Sequence, residues 1–379
     1  MASGRDGADL GPQASRGFIN IIPEFKVVCY VILLLGWSVC GQHDSALVRL
    51  TNSKSLGCAG PSLNLDRSMR VLRVTVILFA LIGVWNLGAA VVAYRSYEPK
   101  SEEAYLRNDS EQVPLERLFC GPQDRKGQAL VDRAIMAALT YPNEEQALME
   151  YLSPQWQKVE VTEGDLMSIL RVDDNRGLSF DIWYHVDDQI AAISFRGTDT
   201  GSLQESLKDW TSNLYWLLHS TPIITQYDVL HDALPRMIEF IDQAKGRISE
   251  FHTVGHSLGG GLAQYAIYRD ADLNIRRVKH AFVFNSSPVT GWSDFELTQG
   301  DLPGTTVTRI NEYKEILEFP RLLMKPGYAL NPRPNISPRF DEYRLNLSEK
   351  RRGTAAHEMQ WLAAEIVSLT EKLCATGLD

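Results

Sequence analysis

The segment Phe251–Ala266, FHTVGHSLGGGLAQYA, constrains the fold of this 379-residue chain more than any other stretch. A β-like run (FHTV) enters the five residues Gly255-His256-Ser257-Leu258-Gly259, and an Ala/Leu-rich helical run leaves them. A G-x-S-x-G pattern in that setting demands strand, tight turn and helix in immediate succession, with the serine hydroxyl projecting above a sheet. Gly255 and Gly259 flank Ser257 because a Cβ at either position would crowd the turn. The helix that follows turns its unpaired N–H groups and positive dipole end toward any negative charge that develops beside the serine.

Around this segment the chain alternates strand and helix patterns. Helical spacing of apolar residues covers Gly127–Tyr141 and Glu144–Leu152, and β-type runs cover Val159–Thr162, Leu178–Val186 and Gln189–Arg196. The last two are joined by Asp187-Asp188, which predicts a hairpin. A long helix is predicted over Tyr227–Ile248, with Pro235 as a kink or break. Then follow strand Glu250–Val254, helix Leu258–Arg269, strands Val278–Asn285 and Thr305–Ile310, and a final helix over Thr354–Leu373. The Pro-rich residues 331–338 read as loop. Strands alternating with crossover helices predict an α/β fold: a mainly parallel sheet covered by helices on both faces.

The amino-terminal quarter has a different character. Residues 1–17 lack an apolar period and read as a flexible tail, and residues 18–100 form a membrane region. Val74–Tyr94 has 21 residues without a charge, and at ~1.5 Å per residue this spans the ~30 Å of a bilayer core. The 15-residue run Val27–Gly41 reaches only ~22 Å and is either a thin span, a re-entrant segment or an interfacial helix. One or two transmembrane helices are therefore expected, at 27–41 and 74–94, ahead of a domain over 101–379. Lys54, Arg67, Arg70 and Arg73 precede the second run, while Arg95, Lys100 and Arg107 follow it. That balance predicts an extracytoplasmic position for the main domain.

Charge follows the same division. The chain carries −9 overall, but residues 1–100 hold 10 Lys/Arg against 6 Asp/Glu, so the body is strongly acidic. An acidic body excludes a nucleic-acid partner, since phosphate binding needs clustered Lys and Arg. With 44% hydrophobic and 22% charged residues the chain is not largely disordered. Five cysteines without a CxxC pair exclude a zinc ribbon or a disulfide scaffold. Cys120 and Cys374 bracket the body and pair only if the compartment is oxidising; free thiols are the default expectation.

The segment GHSLGGGLA resembles the nucleophile segment of the class 3 lipases, a branch of the α/β-hydrolase fold. Ile193–Thr198, ISFRGT, is similar to the strand of that family ending in FRG before Ser or Thr. Ser206–Leu214, SLKDWTSNL, resembles the helix that follows, with Asn213 where the family usually has Asp. The resemblance extends from about Gln189 to about Arg321, and more thinly to His357; the membrane region has no counterpart in secreted members. It implies a serine ester hydrolase with lipid or ester substrates and without metal or organic cofactor, and the apolar runs ahead of it add the expectation that substrate arrives from the bilayer. It also implies a lid over Leu203–Leu218, an amphipathic stretch whose other reading is ordinary core packing.

A serine hydroxyl needs an adjacent imidazole to accept its proton, and in this fold the order along the chain is serine, acid, histidine. Downstream of Ser257 only His280 and His357 remain, and His280 abuts an apolar strand. His357 in GTAAHEMQW is the expected base, with His256 a packing residue. The acid stays open. The family pattern R-x-x-x-x-x-D-x-V-P, aligned on Arg309, puts Glu315 at the aspartate, although Glu318 stands where the pattern has proline. Glu312 is the alternative acid, with Asp294 and Asp301 behind it. The oxyanion donors implied are the N–H of Leu258 and that of Thr198. Rival readings are a thioesterase or acyltransferase with the same residues, or a non-catalytic membrane-bound binding protein on a hydrolase scaffold.

Overall fold

The structure is a computed structural model that describes residues 103–106, 111–120, 126–142, 145–170, 178–197, 225–291, 295, 297, 302, 304–318, 320–321, 338–347 and 350–375. The chain divides into two compact units at Leu87/Gly88, and all described residues belong to the second. The tail 1–17, the apolar runs 27–41 and 74–94, Thr198, the 203–218 helix, Asp294 and Asp301 lie outside the described residues. Among the described residues no helix is long and apolar enough to cross a membrane.

The strands are β1 (Glu103–Leu106), β2 (Glu111–Pro114), β3 (Trp156–Val159), β4 (Phe180–His185), β5 (Ile190–Phe195), β6 (Glu250–His256), β7 (Val278–Phe284), β8 (Thr306–Glu312) and β9 (Arg339–Leu345). They form one sheet in the order β2-β1-β9-β8-β7-β6-β5-β4-β3. The five strands from β5 to β9 run parallel, and an antiparallel pair flanks them on each side. The helices are α1 (Leu115–Phe119), α2 (Lys126–Leu139), α3 (Glu145–Met149), α4 (Glu163–Leu170), α5 (Gln226–Lys245), α6 (Leu258–Asp272), α7 (Thr354–His357) and α8 (Met359–Ala375).

The central strands are buried on both faces, so their side chains feed two cores. Ile182, Ile193, Phe251 and Val283 pack with α4, α5 and α6. Trp183, Ala192, Val254 and Phe284, each one or three positions from these, point the other way and pack with α1, α2 and α8. That alternation follows from the two-residue period of a strand, and each fully buried large aliphatic or aromatic side chain contributes about 1.5–3 kcal/mol. This mostly parallel mixed sheet, helix-covered on both faces, is consistent with the predicted α/β-hydrolase architecture.

The predicted hairpin is present, with Phe180 opposite Phe195 and His185 opposite Ile190. Pro235 sits inside α5 without ending it. The predicted strand 159–162 instead lies at Trp156–Val159, because Thr162 caps α4: its N–H donates to the Asp165 carboxylate and its Oγ1 accepts from Asp165 N–H. The final helix is broken in two at Glu358, whose backbone is extended (φ −59°, ψ 123°). Cys120 and Cys374 are disulfide-bonded, joining the end of α1 to α8, so the expectation of free thiols is corrected.

Candidate active site

β6 ends at His256 and α6 begins at Leu258, leaving Ser257 alone in the turn with φ 55° and ψ −124°. A non-glycine residue at positive φ is strained, and the surrounding structure holds it there. A Cβ on Gly255 would lie 2.1 Å from the Gly259 carbonyl oxygen, and a Cβ on Gly259 would lie 2.1 Å from that of Phe195. Both glycines are thus required by close backbone approach, as the motif implied. Ser257 N–H donates to the Phe284 carbonyl, and the Ser257 carbonyl accepts from Gly260 and Ser287. Among the described residues the Leu258 N–H has no partner, as expected for the first residue of a helix.

The loop that leaves β5 passes directly over this turn: a Cβ on Gly197 would stand 3.0 Å from the Ser257 Cβ and 2.6 Å from the His256 carbonyl oxygen. Gly197 N–H donates to the Tyr141 hydroxyl oxygen at 3.1 Å. The next residue, Thr198, lies outside the described residues.

His357 closes α7 and is fully buried. Its Nδ1 lies 2.6 Å from Glu315 Oε2, and with a carboxylate as acceptor Nδ1 carries the proton. Nε2 is then the basic nitrogen, and it is buried without a hydrogen-bond partner. The ring stands 4.6 Å, centroid to centroid, from that of His256, the residue before Ser257.

Backbone pairing explains how a residue after β8 meets one 42 positions later. Glu315 bridges Gly353 in parallel fashion, Gly353 N–H donates to the Lys314 carbonyl and Ile316 N–H to the Gly353 carbonyl. Gly353 is also the residue that starts α7. Glu315 further accepts from Leu317 N–H at 2.8 Å and pairs with the Arg321 guanidinium. Burial pushes its carboxyl up, but Arg321, His357 and these hydrogen bonds outweigh burial and leave it below its ordinary value.

The other candidates are placed elsewhere. Glu312 is fully buried, but its carboxylate accepts from Leu347 N–H at 3.0 and 3.2 Å. His280 lies near the start of β7, with Nε2 2.8 Å from Thr308 Oγ1 and its ring stacked on Phe282. It pairs in register with His252, four residues and hence about 13 Å upstream of His256. Among the described residues no three His, Cys, Asp or Glu side chains group as a metal site.

The contacts of three residues escaped sequence reasoning. Arg321 anchors the acid and donates to the Ser286 carbonyl as well. Asn285, at the end of β7 with φ 41°, donates to the Ala356 carbonyl and accepts from Glu312 N–H. His256, expected only to pack, is hydrogen-bonded at both nitrogens, to Tyr141 and to the His357 carbonyl. Burial, with His357 and Arg321 nearby, holds its imidazole well below its ordinary pKa and keeps it neutral.

No protein-family model matches the chain, and no curated protein matches it in sequence. Its fold is similar to solved structures at low identity. A triacylglycerol lipase from Penicillium expansum is 16% identical, over 57% of this chain and 79% of that one, with a TM-score of 0.35. Lip2 lipase from Yarrowia lipolytica is 13% identical, over 65% and 82%, with a TM-score of 0.36. Carboxyl esterase 2 from Tuber melanosporum is 10% identical, over 62% and 89%, with a TM-score of 0.34. Likenesses this slight carry no function to the chain, so the chemistry rests on the site itself.

Proposed function

We propose that this chain is a membrane-anchored serine ester hydrolase of lipase or phospholipase type. One observation carries the reading: a buried glutamate–imidazole pair with a free Nε2 packs against His256, the residue before a strained serine at a strand-to-helix turn. Ser257 Oγ bonds to the ester carbonyl carbon as its proton passes to His357 Nε2. Glu315 keeps the proton on Nδ1 and stabilises the imidazolium, while the tetrahedral oxyanion accepts from the N–H groups of Leu258 and Thr198. The commitment of Gly197 N–H to Tyr141 supports Thr198 as the donor from that loop. Collapse expels the alcohol with the proton from Nε2; water then repeats the sequence on the acyl-enzyme and frees the acid.

Anchoring by the apolar runs 27–41 and 74–94 makes an ester delivered from the bilayer, a phospholipid or acylglycerol, the substrate class proposed. The Cys120–Cys374 disulfide adds to the Lys/Arg balance in favour of an extracytoplasmic position. The test uses the full chain in vesicles: a fluorophosphonate probe labels the wild type and not Ser257→Ala, and a phospholipid and acylglycerol panel is hydrolysed by the first alone. Equal background from both on every ester would overturn the reading.

A further inference from the structure

The pair of hydrogen bonds on His256 has a direction that can be assigned. Its Nε2 lies 2.6 Å from the His357 carbonyl oxygen, which can only accept, so Nε2 carries the proton. Its Nδ1 is therefore an acceptor and receives the Tyr141 hydroxyl proton at 2.8 Å. The Tyr141 oxygen in turn accepts from Gly197 N–H. A single run of donors thus leads from Gly197 through Tyr141 and His256 to the backbone of His357, with Tyr141, His256 and His357 all buried. Each member has one orientation available, because reversing any link would set two donors or two acceptors against each other.

The run joins three elements that chain connectivity leaves apart. Tyr141 follows α2, Gly197 follows β5, and His357 ends α7. Its two ends are Gly197, whose added Cβ would touch the Ser257 Cβ, and His357, whose ring packs on that of His256. In a continuous helix the His357 carbonyl would accept from an amide four residues on; here His256 takes that place, and the chain turns away at Glu358.

We infer that Tyr141 and His256 are positioning residues that set Gly197 and the His357 turn at a fixed distance from each other around the β6–α6 turn. The inference rests on the hydrolase reading. Neither side chain reacts; each holds the geometry in which base and oxyanion donors act together. Misplacing such groups by about an ångström costs on the order of 10²-fold in rate while leaving ground-state binding intact.

Steady-state kinetics on one lipid ester, with active sites counted by fluorophosphonate titration, test this in Tyr141→Phe, His256→Leu, His256→Gln and the Tyr141→Phe/His256→Leu double variant. Tyr141→Phe removes one oxygen and leaves the core filled, so it reports even where His256→Leu fails to fold. The expected result is a fall in kcat of roughly 10- to 100-fold with KM within about twofold. The double variant is expected to be no worse than the worse single variant, and His256→Gln, whose amide can donate to the carbonyl, regains part of the loss. Unchanged kcat in Tyr141→Phe, or losses that simply multiply in the double variant, would overturn the inference. A wild type that the probe does not label removes the hydrolase reading and this inference together; a labelled wild type with unaltered variants removes this inference alone.

Discussion

Glu315 reaches His357 from a tight turn rather than from the end of a strand. Lys314 before it has φ 63°, and Gly353 across the bridge has φ 60°, so both backbones curl toward the shared position. On the proposed roles, Glu315→Gln lowers kcat by about 10³–10⁴-fold by favouring the wrong tautomer. Glu312→Gln leaves turnover per folded molecule unchanged, since Glu315 and not Glu312 holds His357 Nδ1; kinetics showing the reverse order would move the acid to Glu312. A second residue-scale effect is pH-dependent stability. Burial lowers the His252 pKa from 6.5 to about 4 and takes His256 well below 6.5. As pH falls below 6.5 the unfolded chain therefore binds protons that the folded chain refuses, and stability drops, whereas above 6.5 neither residue contributes a slope. The lowered Glu315 carboxyl acts in the same sense at lower pH: its stabilising contribution is present above 4.5 and is lost as pH falls through its folded value. Urea unfolding between pH 6.5 and 4.5 should show a slope shallower by roughly one proton in His252→Gln; an unchanged slope would refute it.

At the scale of elements, what the sequence disclosed depended on whether local pattern or distant contact decides. The β5–β6–α6–β7 core was legible because apolar runs, turn glycines and a helix entry all agree there. Thr162-Glu163-Gly164-Asp165 is a capping signature that locates α4, yet the β-branched residues before it read as strand. β9, RFDEYRL, was missed because its half-buried, charge-rich residues lack apolar alternation. β1 and β2 are four residues each and leave too short a pattern. The break at Glu358 is set by side chains of Asn285 and His256 holding the Ala356 and His357 carbonyls, contacts that no local pattern encodes. For the same reason Ser257, His357 and Glu315 were legible as candidates, whereas Tyr141, Asn285 and Arg321 were not. Close approach of elements also makes a prediction. Gly259→Ala forces β5 and α6 apart at the Phe195 carbonyl, so thermal unfolding should reveal a loss of at least about 1–3 kcal/mol, and a wild-type melting temperature would contradict it.

At the scale of the whole molecule, the disulfide closes 254 residues of sequence and narrows the unfolded ensemble accordingly. Cys120→Ser with Cys374→Ser should lose about 3–5 kcal/mol of stability, measured under non-reducing conditions, with little change in turnover because neither cysteine lies in the site. Equal stability would show that packing of α1 and α8 alone suffices. The position of that bond has a mechanical side too. Load entering the chain from its amino-terminal side meets β1 and β2 first, at the far edge of the sheet, and then a covalent stitch to α8. Strain on a tether would peel those two edge strands and stop at the stitch, leaving the parallel strands that carry the serine and its partners unloaded.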